Sequence, residues 1–453
     1  MRGMNTRLTL AALLALASNP ILSTPASAQS EADIDVSEER LRADIDTLVG
    51  FGTRNTLSVQ NHPTRGIGAA RRWAEAEFRR ISQECGGCLE IALPERIIQG
   101  RRVAEPTRLV NVLAVQPGTE RPDEVVIVSA HIDSMASDPT DAVTDAPGAN
   151  DDGSGTALIF EAARNLSRFK FPTTIVYAVL SGEEQGLYGG KLLADYAEEQ
   201  GWTVKAVLNN DIVGGTHGSD GYVDNEHIRV FSEAVRADAG DDQRADMRRN
   251  GGENDAPSRN LSRWLANLSE SDADDALSVR QVWRADRMGR GGDHLPMLEK
   301  GFPAVRLSVA VEDYEHQHQN VRTEDGVFYG DVPSEMDFPY LARVTRLNTL
   351  ALARLAQTPM PPRVTADAAV RPDTLVEWQE SDGAARYALF RRRTDDAAWE
   401  RVREVPAGTT SDTLELRGDD WIVGVSAIAA SGAESPVAAA VPGGAFYPLA
   451  NSE

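Results

Sequence analysis

Histidine and carboxylate side chains recur in this chain just beyond apolar runs. His131 closes the run 125–130 (VVIVSA), and Asp133 follows two residues later. On an extended chain positions i and i+2 share a face, so the Asp133 carboxylate can orient the His131 imidazole. Asp151 stands in the stretch GANDDGSG, where glycines permit a tight backbone and Ser154 can cap a following helix. Glu183 and Glu184 follow a third run in VLSGEEQGLYG, Asp211 ends VLNND, and His316 and His318 lie in EDYEHQHQNVRTEDG. Each signal alone also fits a solvated turn or a hydrogen-bonded histidine. Carboxylates this dense repel one another, however, unless all are solvated or a cation holds them. Adjacent acids directly after a buried strand can divide roles, one gripping a metal and the other acting as a base. The chemistry these residues could do together is metal-assisted acid–base chemistry.

Such donors converge only if the strands before them lie side by side. Apolar strand candidates are 109–115, 125–130, 174–180, 205–212 and 304–309, with helical stretches between several of them, notably 154–168 and 186–200. This alternation predicts an α/β fold, a mixed and mostly parallel sheet sandwiched by helices. Sheets of that kind bind ligands beyond the carboxyl ends of their strands. Upstream, residues 36–83 read as helical, with Ser37 as N-cap and Ala70, Trp73, Ala74 and Phe78 on one stripe. Residues 237–278, where acids and arginines mix, read as a surface excursion with a short helix around Leu261 to Leu268. Near Pro359-Met360-Pro361-Pro362 the chain makes a linker. Beyond it the alternation at Val376/Trp378, Tyr387/Leu389 and Trp421/Val423/Val425/Ala427 predicts a small all-β sandwich. The expected domains are 29–358 and 363–445.

With 41% apolar and 25% charged residues among 453, the chain has an ordinary soluble composition and enough length for two domains. Its net charge of −23 argues against nucleic acid or an anionic membrane surface as a partner. No internal run approaches the roughly 20 apolar residues of a membrane span. Residues 1–28 read as a secretory signal peptide: Arg2 and Arg7 precede the apolar Leu8–Ala17, and Ala26-Ser27-Ala28 forms a small-residue cleavage site. The protein is therefore expected to be exported, periplasmic or secreted. Cys85-Gly-Gly-Cys88 holds the two cysteines. In an exported chain with no second pair, a small disulfide fits better than a redox motif or half a zinc site. Asn165, Asn260 and Asn267 head N-x-S sequons, which matter only in a glycosylating host.

The order His…Asp…Glu-Glu…Asp…His resembles the dinuclear zinc exopeptidases of the leucyl-aminopeptidase and glutamate-carboxypeptidase family (clan MH). The resemblance spans about residues 36 to 356. It rests on His131-x-Asp133, PGANDDGSG at 147–155, GEEQGLYG at 182–189, NND ending at Asp211, and GRGGDHLPMLEKGFPAV at 289–305. It implies the zinc exopeptidase fold and two zinc ions bridged by Asp151, one completed by His131 and Asp211, the other by Glu184 and a C-terminal histidine. Glu183 would be the general base, and Asp293 and His294 would shape the site. His318 is taken as the last ligand because Thr323 lies five positions on, as in the family's His-Thr-x-x-Asp-Thr pattern, although Arg322 replaces the usual acid. His316 is its rival. The implied substrate is a peptide or protein and the implied activity an aminopeptidase, with a carboxypeptidase, a single-zinc glutaminyl cyclase and a non-catalytic receptor-like or adhesion protein as alternatives. Glu312 and Asp313 could hold a substrate ammonium, Arg287 and Arg290 a carboxylate. Residues 425–436 resemble the last strands of a fibronectin type III domain. Oligomeric state does not follow from these residues.

Overall fold

The structure, a computed structural model, describes residues 34–271 and 277–449. The signal peptide expected over 1–28 lies outside them. Helices α1 (Glu38–Val49) and α2 (Gly66–Glu84) precede strands β1 (Glu90–Ala92), β2 (Glu95–Gly100), β3 (Val103–Val110), β4 (Val112–Gln116) and β5 (Arg121–His131). Then α3 (Gly153–Leu166), β6 (Thr173–Leu180), α4 (Tyr188–Glu199) and β7 (Thr203–Asn210) alternate. They are followed by β8 (His227–Phe231), α5 (Asp241–Asn250), α6 (Pro257–Ser271), β9 (Ser278–Val282), α7 (His294–Glu299) and β10 (Ala304–Val309). A short hairpin of β11 (Arg322–Glu324) and β12 (Val327–Tyr329) leads to α8 (Phe338–Leu355).

Eight strands form one mixed sheet in the order β1-β4-β6-β5-β7-β10-β8-β9. Its middle four, β6-β5-β7-β10, run parallel. Continuous burial of β6 and β10 suits strands covered on both faces. Period-two alternation sorts the side chains: Val126, Val128 and Ala130 join a core with α1, α2, α3, α6 and α8, while Val125 and Ile127 join one with α4 and α7. The chain leaves β5 through α3 to β6 on one side, then returns through α4 to β7 on the other. That reversal opens a crevice at the carboxyl end of β5.

Two expectations need correction. The single strand expected over 109–115 is broken at Asn111. Its side chain donates to the Gly189 carbonyl at 2.9 Å and accepts from Ser181 N at 3.2 Å, so it serves the turn after β6 instead of a strand ladder. Of the surface excursion expected over 237–278, α5 buries only Met247 and the expected helix appears as α6, but most of residues 255–271 are buried. Leu261, Leu265 and Leu268 of α6 enter the main core, and Asp255 is buried against Arg263. Its other partner is Arg392 of the C-terminal sheets, at 2.6 Å. Polar composition misled because these charges are paired across a contact remote in sequence.

The C-terminal sheets are β13 (Val364–Asp367), β14 (Thr374–Trp378) and β17 (Ser411–Leu414) in one, and β16 (Glu400–Pro406), β15 (Ala384–Arg393), β18 (Trp421–Ala429) and β19 (Ala438–Ala439) in the other. Val376, Trp378, Tyr387, Leu389 and Val425 share a core between them. Trp399 Nε1 donates to Asn260 Oδ1 at 3.1 Å, Trp264 Nε1 to the Glu434 carbonyl at 3.3 Å, and Arg236 to the Ala445 carbonyl at 2.8 Å. Of the three sequons, Asn165 and Asn260 are buried and hydrogen-bonded, leaving only Asn267 accessible. Cys85 and Cys88 form a disulfide.

Candidate active site

Each of the four middle strands delivers part of one cluster at its carboxyl end. His131 is the last residue of β5, Glu183 and Glu184 follow β6, Asp211 follows β7, and His318 lies on the loop after β10. Asp151 comes from the loop before α3, where Asp152 caps the helix by accepting from Gly155 N at 2.9 Å. The other oxygen of Asp152 accepts from His131 N at 3.1 Å, joining the loop to the end of β5. The Asp151–Asp152 peptide is cis.

The two oxygens of Asp151 face different partners. Oδ1 lies 3.2 Å from His131 Nε2, which is also 3.9 Å from Asp211 Oδ1. Oδ2 lies 2.9 Å from His318 Nε2, itself 3.3 Å from Glu184 Oε1. Ligand-type atoms of His131, Asp151 and Glu184 fall within 4.8 Å of one another. His316 sits apart, paired with Asp313 at 2.8 Å.

Asp133 has a wider task than orienting an imidazole. His131 Nδ1 lies 3.0 Å from the Asp133 backbone carbonyl and 3.6 Å from its carboxylate. That carboxylate instead accepts from Gly182 N at 2.8 Å and Glu184 N at 3.2 Å, fixing the turn that presents both glutamates. Leu187, Ile212 and His318 around the cluster have φ of 58°, 60° and 55°. Such left-handed conformations are uncommon without glycine, outlying for a β-branched residue, and concentrated at functional sites.

Three buried groups escaped the sequence reading. Arg306 of β10 pairs with Asp211 Oδ1 at 2.9 Å and Asp286 Oδ2 at 3.3 Å. An arginine inside the apolar run AVRLSV was a usable signal. Asp331 accepts from Asn150 N at 2.8 Å and Asp151 N at 2.7 Å, and so sets the aspartate loop. Arg54 gathers the Ile132 and Gly148 carbonyls at 2.7 and 2.8 Å beneath it. Neither residue lies in a motif. Asp293 and His294 act as supports: Asp293 accepts from Gly190 N at the start of α4, and His294 Nε2 lies 2.8 Å from the Ala285 carbonyl.

Charge in this crevice is strongly coupled. Burial opposes protonation of His131, yet the negative charges of Asp133, Asp151 and Asp211 around it hold it well above the usual imidazole range. Asp151, against its own burial, is held well below the carboxylate range by His318 and His131. Glu183 and Glu184 go the other way. Burial raises both, joined by the negative charge of Glu184 and Asp211 at Glu183 and of Asp151 at Glu184. Buried Asp293 and Asp331 are each raised to about 7. Glu184 Oε1 is buried without a hydrogen-bond donor. Acids that resist ionisation around an unsatisfied oxygen are what a bound cation would relieve. Imidazole and carboxylate donors with no thiolate suit zinc.

Residues 111–326 match peptidase family M28. The chain is 39% identical over 415 residues to a probable zinc metalloprotease of Leptosphaeria maculans, covering 90% of this chain and 96% of that one. It is also 39% identical to a probable zinc metalloprotease of Pyricularia oryzae, covering 90% and 83% of the two chains. Among solved structures, the LapA aminopeptidase of Legionella pneumophila superposes with a TM-score of 0.54 at 18% identity, over 76% of this chain and 78% of that one. The likeness to LapA concerns the fold.

Proposed function

Since the chain belongs to peptidase family M28 and is a zinc metallopeptidase, we propose that it is an exported dinuclear exopeptidase, specifically an aminopeptidase. One observation carries the dinuclear reading: Asp151 turns one oxygen to His131 and the other to His318. In this reading His131, Asp151 and Asp211 would hold one zinc ion, and Asp151, Glu184 and His318 would hold the other. Zinc, when bound, supplies the Lewis acidity that polarises the scissile carbonyl and acidifies the attacking water. Glu183 takes the water proton on its carboxylate and returns it to the leaving amine nitrogen. A carboxylate can take both parts, accepting the proton as base and returning it as acid. Asp133 and Asn111 hold the turn that aims it, and Asp331 and Arg54 hold the aspartate loop.

An ammonium terminus is the peptide end this rim favours. A cavity of about 390 Å³ beside Asp151 is lined by Asp313, Glu335 and Asp337, with Arg42 its one lining arginine among the described residues. Arg287, one candidate for holding a substrate carboxylate, already spends its nitrogens on Asp286, Glu312 and the Gly291 carbonyl. Residues 1–28 act as the export signal in this reading, and 363–445 form a fibronectin type III-like module. The test combines zinc content with a peptide panel blocked at one end or the other. About two zinc ions per chain and cleavage that requires a free N-terminus are expected. Cleavage requiring only a free C-terminus identifies a carboxypeptidase. One zinc with no hydrolysis favours the glutaminyl cyclase reading, which has no use for both His131 and Asp211 as ligands of a second metal.

A further inference from the structure

Beside this machinery lies a concentration of positive charge in a chain of net −23. Buried Glu312 takes three guanidinium groups: Arg229 at 2.7 Å on Oε1, and Arg287 at 3.1 Å and Arg290 at 2.7 Å on Oε2. One carboxylate cannot neutralise three cations, and Asp286, beside Arg287, is shared with Arg306. The three arginines differ in what they have left. Arg287 has committed all its nitrogens, and Arg229 spends Nε on the Val309 carbonyl and Nη2 on Glu312. Arg290 commits only Nη1, to Glu312 and to Gln317 Oε1 at 3.3 Å. Among the described residues nothing accepts from its Nε and Nη2, and its side chain is 31% exposed.

Gln317 ties this guanidinium to the metal-binding cluster, because its Nε2 donates to Asp151 Oδ2 at 2.9 Å. Arg290 therefore stands two hydrogen bonds and one amide group from Asp151, about the reach of two extended residues at roughly 3.3 Å each. Around it a cavity of about 500 Å³ is lined by Trp283, Met288 and Tyr314, all exposed. A guanidinium fixed on one edge and open on the other is preorganised to take a carboxylate in its fork.

We propose that Arg290 binds the C-terminal carboxylate of the substrate, so that the enzyme prefers short peptides ending one or two residues beyond the scissile bond. The proposal rests on the metallopeptidase reading and adds a substrate class to it. The test compares kcat/KM for dileucine and trileucine with their C-terminal amides, in wild type and in Arg290→Met and Arg290→Lys. The free acids should be favoured by about ten- to hundredfold, the worth of one charged hydrogen-bonded contact. Arg290→Met should bring the acid-to-amide ratio close to one, with the change carried mainly by KM, and Arg290→Lys should restore only part of it. Equal rates for acid and amide in wild type overturn the proposal whatever the variants' folding, and so does a ratio that Arg290→Met leaves unmoved. A protein that cleaves neither form overturns the peptidase reading and this subsite with it, and the complete lack of turnover sets that failure apart.

Discussion

Asp133→Asn separates two roles that one carboxylate could play. If Asp133 worked through His131, the change would disturb the imidazole and whatever it binds. The distances argue otherwise, since Nδ1 is nearer the Asp133 backbone carbonyl (3.0 Å) than the carboxylate (3.6 Å), and the substitution leaves that carbonyl in place. What the carboxylate holds is the turn Gly182–Glu184. An amide in its place keeps one acceptor and aims an N–H₂ at a backbone N–H. One charge-assisted hydrogen bond then weakens and another is replaced by a donor–donor clash, which costs about 2–4 kcal/mol in holding the two glutamates. If that cost falls on the transition state, kcat/KM drops by about thirty- to a thousandfold. The assay is steady-state kinetics on an unblocked peptide, with zinc content measured on the same preparation. The reasoning predicts a large fall in kcat while a zinc ion held as proposed through His131 stays bound. A variant that keeps kcat within about threefold, or that loses its zinc at His131, refutes the turn-holding role.

Glu183→Gln should lower kcat by about 10²- to 10⁴-fold with zinc content and melting temperature unchanged, because only proton transfer is removed. Arg306→Met should destabilise the metal-free protein by about 3–5 kcal/mol in urea denaturation, since Asp211 and Asp286 lose the cation buried between them. Glu233, buried and raised to about 8 chiefly by desolvation, binds a proton in the folded state that the unfolded chain releases near pH 4.5. Its contribution is complete below that pH and is lost as pH rises toward 8, by up to about 1.4 kcal/mol per pH unit. In Glu233→Gln that slope should flatten, which denaturation midpoints at pH 5, 6.5 and 8 will show.

Much of the architecture was readable because buried parallel strands are written as unbroken apolar runs, and such runs end where the fold brings polar groups together. That logic located the sheet and the stations of His131, Glu183, Glu184 and Asp211. Asp331 was invisible for a physical reason. Its partners are the backbone amides of Asn150 and Asp151, some 180 positions earlier, which leave no imprint on residue type. Asn111 hid inside an apolar run that reads as one strand, although a lone amide there is what ends β3 and begins β4. The helix expected around Leu261 to Leu268 is there as α6, but its burial went unread for the opposite reason. Asp255 and Arg263 look like solvated residues until Arg392, far along the chain, closes the pair from the other side of Asp255. Local pattern reports burial faithfully for apolar groups and poorly for charges whose counterions come from elsewhere.

The seating of the C-terminal sheets on α6 bears on how the molecule comes apart. A chain cut after Thr358 would leave Asp255 with Arg263 alone. It would also strip Trp264 of its carbonyl acceptor and leave Arg236, which loses Ala445, with that of Gly301. The two halves should therefore melt together in a single calorimetric transition. Removing the smaller half should yield an insoluble remnant, not a trimmed enzyme.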